Sequence, residues 1–216
     1  FSDIIITQSK SMDEDLKKYT NKKSEVIYNP ISLNKILSLA KEKLSTKLDS
    51  KYYNIISVGR LAYEKDYKTA ILSIAKLKKR YGNIKYYILG EGELKKELYE
   101  YSNYLDLKND IIFTGYLGNP YPIMKNANVL LSTSLYEGFS NVILESLALN
   151  VPVVATDCPG GNKEIISNEK NGFLAKVGNS DDIVDKLILV KKQKDYNIDV
   201  SKFKINFIAK EYEKHF

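Results

Sequence analysis

Two residue types that carry much hydrolytic and metal chemistry are almost missing from these 216 residues: there is one cysteine, Cys158, and one histidine, His215. A single cysteine excludes an internal disulfide framework and suits a reducing cytosol. His215 stands beside the chain end, far in sequence from Cys158 and from the other polar candidates. No Ser-His-Asp set follows, and no His/Cys/Asp cluster has metal-ligand spacing. Cys158 therefore reads as a small buried filler. Long apolar runs are missing as well. Glu145, Asn150 and Pro152 interrupt the longest, so no segment can cross a bilayer as a helix. No signal peptide, repeat or low-complexity tract is visible. The net charge of +6 is spread among acidic residues. That balance argues against a nucleic-acid surface and suits an anionic ligand or a membrane face.

What is present is a chain 44% hydrophobic, long enough to bury a substantial core. It begins at Phe1 rather than methionine, and is read as part of something longer. Extended apolar runs alternate with helical patterns. Strands are expected at 52–59, 84–90, 110–115 and 128–133, then at "VVAT" and "NGFLAKV". Between them, Ala70, Ile71, Ile74 and Leu77 recur at helical spacing with Gly82 as a stop. Leu94, Leu98 and Leu105 mark a second helix, "PYPIMKNA" a short one, and two more run from Asn141 and from Ser180 to Lys194. Near-continuous apolar strands alternating with helices predict an α/β fold, a Rossmann-like doubly wound parallel sheet covered on both faces. The first fifty residues differ: "SDIIITQS" reads as a strand leaving a preceding domain and "EVIYNPI" as an extended linker. The tail "KFKINFIAKEYEKHF" reads as a basic amphipathic helix. The expected division is 1–50, 51–195 and 196–216.

Ligands of such sheets bind beyond the carboxyl ends of the strands. After the first strand, "GRLAYEKD" offers Gly59 for a close turn, with Arg60 and Lys65 as a planar fork and a point charge suited to a diphosphate. Solvated loop cations would read the same way. "GEGELKK" lacks the third glycine of a dinucleotide loop; its second glycine leaves room for a neighbour. In "GYLG", backbone beside Tyr116 and Leu117 could edge a planar base, although an ordinary turn fits equally.

The fourth strand leads into "SLYEGFSNVILESLALNVPVVAT", which holds an oddity. Glu145 sits inside an otherwise apolar helix, where a carboxylate without partners is costly. Glu137 precedes it in a loop of small residues. The helix start at Glu137-Gly138-Phe139-Ser140-Asn141 presents unpaired amides and a positive dipole end, which attract phosphate and sugar oxygens. Glu145, placed near the first turn, could accept two hydroxyls of a vicinal diol such as a ribose, or could bond a backbone amide or a lysine instead.

Taken together, "SVGRLAYEKD", "ILGEGELKKEL", "IIFTGYL" and "LYEGFSNVILESLALNVPVVATDCPGGNKEII" resemble the retaining glycosyltransferases of family four, which have the GT-B fold. Glu137 and Glu145 match that family's E-x7-E motif. The resemblance implies the C-terminal, donor-binding half of a two-domain enzyme, inactive without the half that reads the acceptor. It implies Arg60 and Lys65 at the donor diphosphate, Glu137 at the transferred sugar and Glu145 at the ribose. The amides of Phe139 to Val142 would hold sugar and phosphate, Gly138 and Gly59 giving close approach, with backbone near Tyr116 and Leu117 at the base. It further implies no metal, a nucleotide-sugar donor (UDP-linked), a glycan or lipid-linked acceptor, retention of configuration, and a cytoplasmic place at or near the inner membrane face in bacterial surface-glycan synthesis. Ser140 and Asn141 depart from the family's commoner loop residues, which leaves the donor sugar open. A sugar-nucleotide epimerase of the same fold, or a non-catalytic nucleotide-sugar-binding module, are the alternatives; the Arg60, Lys65, Glu137 and Glu145 set argues against both.

Overall fold

The computed structural model describes residues 4–44, 46–193 and 195–215. Its centre is a six-stranded sheet built from β3 (Tyr53–Val58), β4 (Ile84–Leu89), β5 (Ile111–Gly115), β6 (Val129–Ser132), β7 (Val153–Thr156) and β8 (Gly172–Ala175). The order is β5-β4-β3-β6-β7-β8 and every pairing is parallel. The chain therefore runs outward from β3 to one edge, returns, and runs outward from β6 to the other. The reversal leaves a crevice between β3 and β6 at their carboxyl ends. All six strands fall where apolar runs predict them.

Alternation along each strand divides the apolar residues between two cores. Ile55, Tyr86, Ile88, Leu131 and Val154 face one layer, made by α3 (Tyr67–Tyr81), α4 (Lys95–Tyr104) and α8 (Ser180–Lys192). Ile56, Tyr87, Leu89, Leu130 and Val153 face the other, made by α2 (Leu33–Leu39), α5 (Tyr121–Asn126), α6 (Asn141–Ala148) and α7 (Asn162–Ile165). Both faces are covered, which explains why the strands are mostly apolar on both sides. The end of α3 also follows the sequence: Gly82 is its C-cap at φ +72°. The Lys194 end of the predicted α8 lies outside the described residues, as do Ser2 and Asp3 of the first predicted strand.

The outer stretches include the expected strand, as β1, but hold more regular structure than a strand and a linker. Strands β1 (Ile5–Thr7) and β2 (Ser24–Val26) pair in parallel as a separate sheet, joined by α1 (Lys10–Leu16). Helix α2 follows directly, its Ile36 and Ala40 buried in the same core as Val200 and Phe203. Leu33, Ile36, Leu37 and Ala40 already had helical spacing, but the Asn-Pro before them suggested extended chain. Helix α9 (Ile205–Glu213) is shorter than the amphipathic tail. It returns to the chain start: Ile31 bridges Lys204, and His215 Nε2 lies 2.9 Å from Glu25 Oε2. No helix among the described residues is long and apolar enough to cross a membrane.

Candidate donor site at the sheet switch point

Two cavities open side by side at the carboxyl end of β3, the smaller between it and β6, the larger between it and β4. The smaller, about 210 Å³, contains Lys65, Ser134, Glu137 and Ser140. The larger, about 550 Å³, contains Glu91, Tyr116, Leu117, Tyr121 and Glu145. Val58, Gly59 and Arg60 line both. The strand-end loops thus bring Gly59, Arg60, Lys65, Tyr116, Leu117, Glu137, Ser140, Val142 and Glu145 to these cavities.

Lys65 reaches the smaller cavity because a short 3-10 turn, Tyr63–Lys65, follows β3. Asp66 ends that turn in the left-handed region at φ +44° and caps α3, accepting from the Thr69 amide at 3.2 Å. The buried Thr133 hydroxyl bonds the carbonyls of Lys65 and Asp66 at 2.8 and 3.0 Å, which ties the turn to the end of β6. Lys65 Nζ then lies 2.5 Å from Glu137 Oε1, and the Ser134 hydroxyl donates to the same oxygen at 2.8 Å. The two cations expected to face a diphosphate are therefore each held by a carboxylate: Lys65 by Glu137, and the exposed Arg60 by Glu64 at 2.8 Å.

Glycines let these loops meet. A side chain on Gly92 would lie 2.4 Å from the Leu61 carbonyl oxygen, so the second glycine of "GEGELKK" does make room for a neighbour. At Gly160, φ is +127° and a Cβ would stand 1.6 Å from the Glu137 carbonyl oxygen. The loop after β7 therefore packs directly on the backbone of Glu137, and the Glu137 amide donates to the Pro159 carbonyl at 3.0 Å.

Glu145 is the fifth residue of α6, one turn deeper than a first-turn carboxylate. Burial raises its pKa, opposed by a bond from the Tyr121 hydroxyl. Desolvation outweighs that bond, because a carboxylate taken out of water loses more than one neutral donor returns. Tyr121 itself is pushed up to about 12, by burial first and then by Glu145, so it stays a donor at neutral pH. Tyr116 is 79% exposed, whereas Leu117 packs on the second core. Ser140, which is buried, and Val142 line the smaller cavity, whereas Gly138, Phe139 and Asn141 line neither: Phe139 is buried in the second core and Asn141 is exposed at the start of α6.

Ser134, Thr133, Tyr121 and Glu64 had not been singled out. Ser134 and Thr133 lie in the strand end before Glu137, and Tyr121 follows the "GYLG" turn, so a wider reading of each strand-end loop reaches them. Cys158 is buried, with its thiol pushed up by burial and Asn162 Nδ2 donating to its sulfur at 3.4 Å. His215 pairs with Glu25 of β2. No cluster of metal-ligating side chains occurs among the described residues.

The fold is a Rossmann-like domain of the GT-B glycosyltransferase type, with the two cavities at its switch point. The chain belongs to the glycosyl transferases group 1 family, whose model matches residues 40–206. A glycosyltransferase of Methanocaldococcus jannaschii, itself uncharacterized, is 35% identical over 79% of this chain and 44% of its own length. The N-acetylgalactosamine-N,N'-diacetylbacillosaminyl-diphospho-undecaprenol 4-alpha-N-acetylgalactosaminyltransferase of Campylobacter jejuni is 38% identical over 82% of this chain and 48% of its own length. The chain thus spans about half the length of the curated relatives it matches. Among solved structures, the Anabaena protein HepE in complex with UDP superposes with a TM-score of 0.83 at 19% identity, over 100% of this chain and 64% of HepE. The lipopolysaccharide outer core galactosyltransferase WaaB superposes with 0.81 at 23% identity, over 99% and 61%. At these identities the likeness shows the fold.

Proposed function

We propose that this chain is the C-terminal, donor-binding half of a retaining glycosyltransferase that uses a UDP-linked hexose or N-acetylhexosamine and a glycan or lipid-linked acceptor. The joined pair of cavities carries this reading. A nucleotide sugar is a base and ribose, then a diphosphate, then a sugar. The larger cavity has Tyr116 and Leu117 for the base and Glu145 for the ribose diol, the shared wall has Arg60 for the diphosphate, and the smaller has Lys65, Glu137 and the start of α6. The names of two relatives, the Campylobacter enzyme and the lipopolysaccharide 1,6-galactosyltransferase of Salmonella typhimurium, favour a surface-glycan acceptor.

In this reading catalysis is mainly electrostatic. Arg60 and Lys65 stabilise the departing diphosphate without a bound metal, Glu137 holds the sugar hydroxyls, and the acceptor attacks from the face the leaving group vacates, so configuration is retained. The reaction would take place in the cytoplasm, at the membrane surface when the acceptor is lipid-linked. Orientation of two reactants supplies about 7–11 kcal/mol in favourable cases. Residues beyond this chain that orient the acceptor would then be needed for transfer, and the chain alone should bind donor without turnover.

Calorimetry with UDP and pyrophosphate tests the reading. Folded wild-type protein should bind UDP, and Arg60→Ala should weaken it about tenfold or more, as expected for loss of a charge-assisted bond. Absence of UDP binding to the folded chain would overturn the proposal.

A further inference from the structure

The turn that carries Glu137 and the start of α6 is held from outside the sheet by two distant passages of chain. Asn29 Nδ2 donates to Asn141 Oδ1 at 3.0 Å. The Tyr28 ring stacks on Phe139, with centroids 5.4 Å apart and planes 26° apart. Phe203 closes the cluster, 5.5 Å from Tyr28 and 5.8 Å from Phe139. The Tyr28 hydroxyl donates to Glu164 Oε2 at 3.0 Å, and the same carboxylate accepts from the amides of Lys10 and Ser11. Burial and then Glu164 push Tyr28 up to about 12, so the phenol keeps its proton. The two passages are also fastened to each other, since the Ile31 amide donates to the Phe203 carbonyl at 2.8 Å.

Neither Tyr28 nor Asn29 lines the donor cavities. Both grip residues that flank the lining: Phe139 adjoins Ser140, and Asn141 is the first residue of α6. An anion at the start of a helix depends on the aim of the backbone amides, because hydrogen bonds weaken steeply as their angle closes. A loop held in its binding conformation also avoids an ordering cost when ligand arrives. We propose that Tyr28 and Asn29 are positioning residues for donor binding, acting through Phe139 and Asn141 to aim the 138–142 backbone at the phosphate and sugar end of the donor. The nucleoside end depends less on them: Tyr116 stands on another loop, and Glu145, although it shares α6 with Asn141, lies one turn deeper, where the buried Leu144 and Leu147 fix the helix. The proposal rests on the donor reading above, and gives the segment between β2 and α2 an influence on donor affinity.

The test compares UDP, pyrophosphate and uridine binding to the full chain and to Asn29→Ala, Tyr28→Leu, Asn141→Ala and the Asn29→Ala/Asn141→Ala pair, with calorimetry for the phosphates and ligand-observed NMR for uridine. Asn29→Ala and Tyr28→Leu should each weaken UDP and pyrophosphate about 3- to 10-fold, the scale of one ordinary hydrogen bond, and leave uridine unchanged. In the Asn141→Ala background, Asn29→Ala should cost nothing further, since coupled residues do not add. The partly exposed Asn29 keeps the test valid if Tyr28→Leu fails to fold. Unchanged pyrophosphate affinity in Asn29→Ala, an equal loss for uridine, or full additivity with Asn141→Ala would overturn the positioning role alone. A folded wild type that binds neither UDP nor pyrophosphate would overturn the donor reading and this proposal with it.

Discussion

Lys65 and Glu137, 72 positions apart in sequence, share an ion pair of 2.5 Å at the mouth of the crevice between β3 and β6. Their side chains are only 26% and 13% exposed, so the pair is partly desolvated, and removing one partner strands the other. Lys65→Met should destabilise the ligand-free protein by about 1–3 kcal/mol. A Lys65→Met/Glu137→Leu pair should recover most of that loss, because an apolar pair can replace a buried ion pair at little cost. Neither variant should regain phosphate affinity. Urea unfolding with pyrophosphate calorimetry separates the two effects, and recovery of binding in the double variant would show that Lys65 serves stability alone.

Gly160→Ala is expected to damage the site from behind. The position needs φ +127°, and the new methyl would meet the Glu137 carbonyl oxygen at 1.6 Å. Backbone strain of this kind costs about 1–3 kcal/mol before the clash is counted. Because the displaced atoms belong to Glu137, the loss should appear both in the urea midpoint and in UDP affinity. A stable Gly160→Ala protein with normal UDP binding would mean that the loop after β7 moves freely of Glu137.

The sheet was legible because both its faces are buried, which writes each strand as an apolar run and each covering helix as a periodic one. The lining of the two cavities was legible for a related reason: doubly wound sheets open their crevices at strand ends, so Arg60, Tyr116 and Glu137 could be found by reading past each strand. Pairing was not legible. Nothing in the spacing of Arg60 and Lys65 says that Glu64 and Glu137 hold them in the resting protein, since that depends on how the 3-10 turn folds back to β6. The Tyr28–Phe139–Phe203 cluster was hidden for the same reason, as its three rings come from the first, middle and last parts of the chain. Glu145 was noticed for its cost, but its bond from Tyr121 depends on how α5 packs beside α6, which periodicity alone does not fix.

The pairing of Arg60 with Glu64 has its own consequence. Arg60 is part of the cavities' shared wall, and in the pair its side chain is 66% exposed and that of Glu64 21% exposed. A diphosphate must compete with Glu64 for the guanidinium. Glu64→Gln should therefore raise pyrophosphate affinity a few-fold at low salt, with the gain shrinking as salt screens the charges over a Debye length of about 10 Å at 0.1 M. A fall in affinity at every salt concentration would instead make Glu64 a necessary brace for Arg60.

Glu145 should reveal itself through pH. Burial raises its pKa in the folded protein above its unfolded value, so over that interval the folded state binds more protons than the unfolded one. Stability must then fall as pH rises through the interval, since stability rises with pH only where the unfolded state binds more protons. Below the ordinary glutamate range both states are protonated and the penalty disappears; above the raised value it is fully present. Glu145→Gln removes the charge while its amide oxygen can still accept from Tyr121. The variant should be more stable than wild type at pH 7, and the advantage should vanish as the solution is acidified through the carboxylate range. The same change should weaken UDP, whose ribose loses a charged acceptor, while leaving pyrophosphate almost untouched. Melting temperatures across pH 3.5 to 8, read beside calorimetry with both ligands, check the two halves together. An advantage that persists at acid pH would place the effect in packing rather than charge, and an equal loss of UDP and pyrophosphate would remove Glu145 from the ribose.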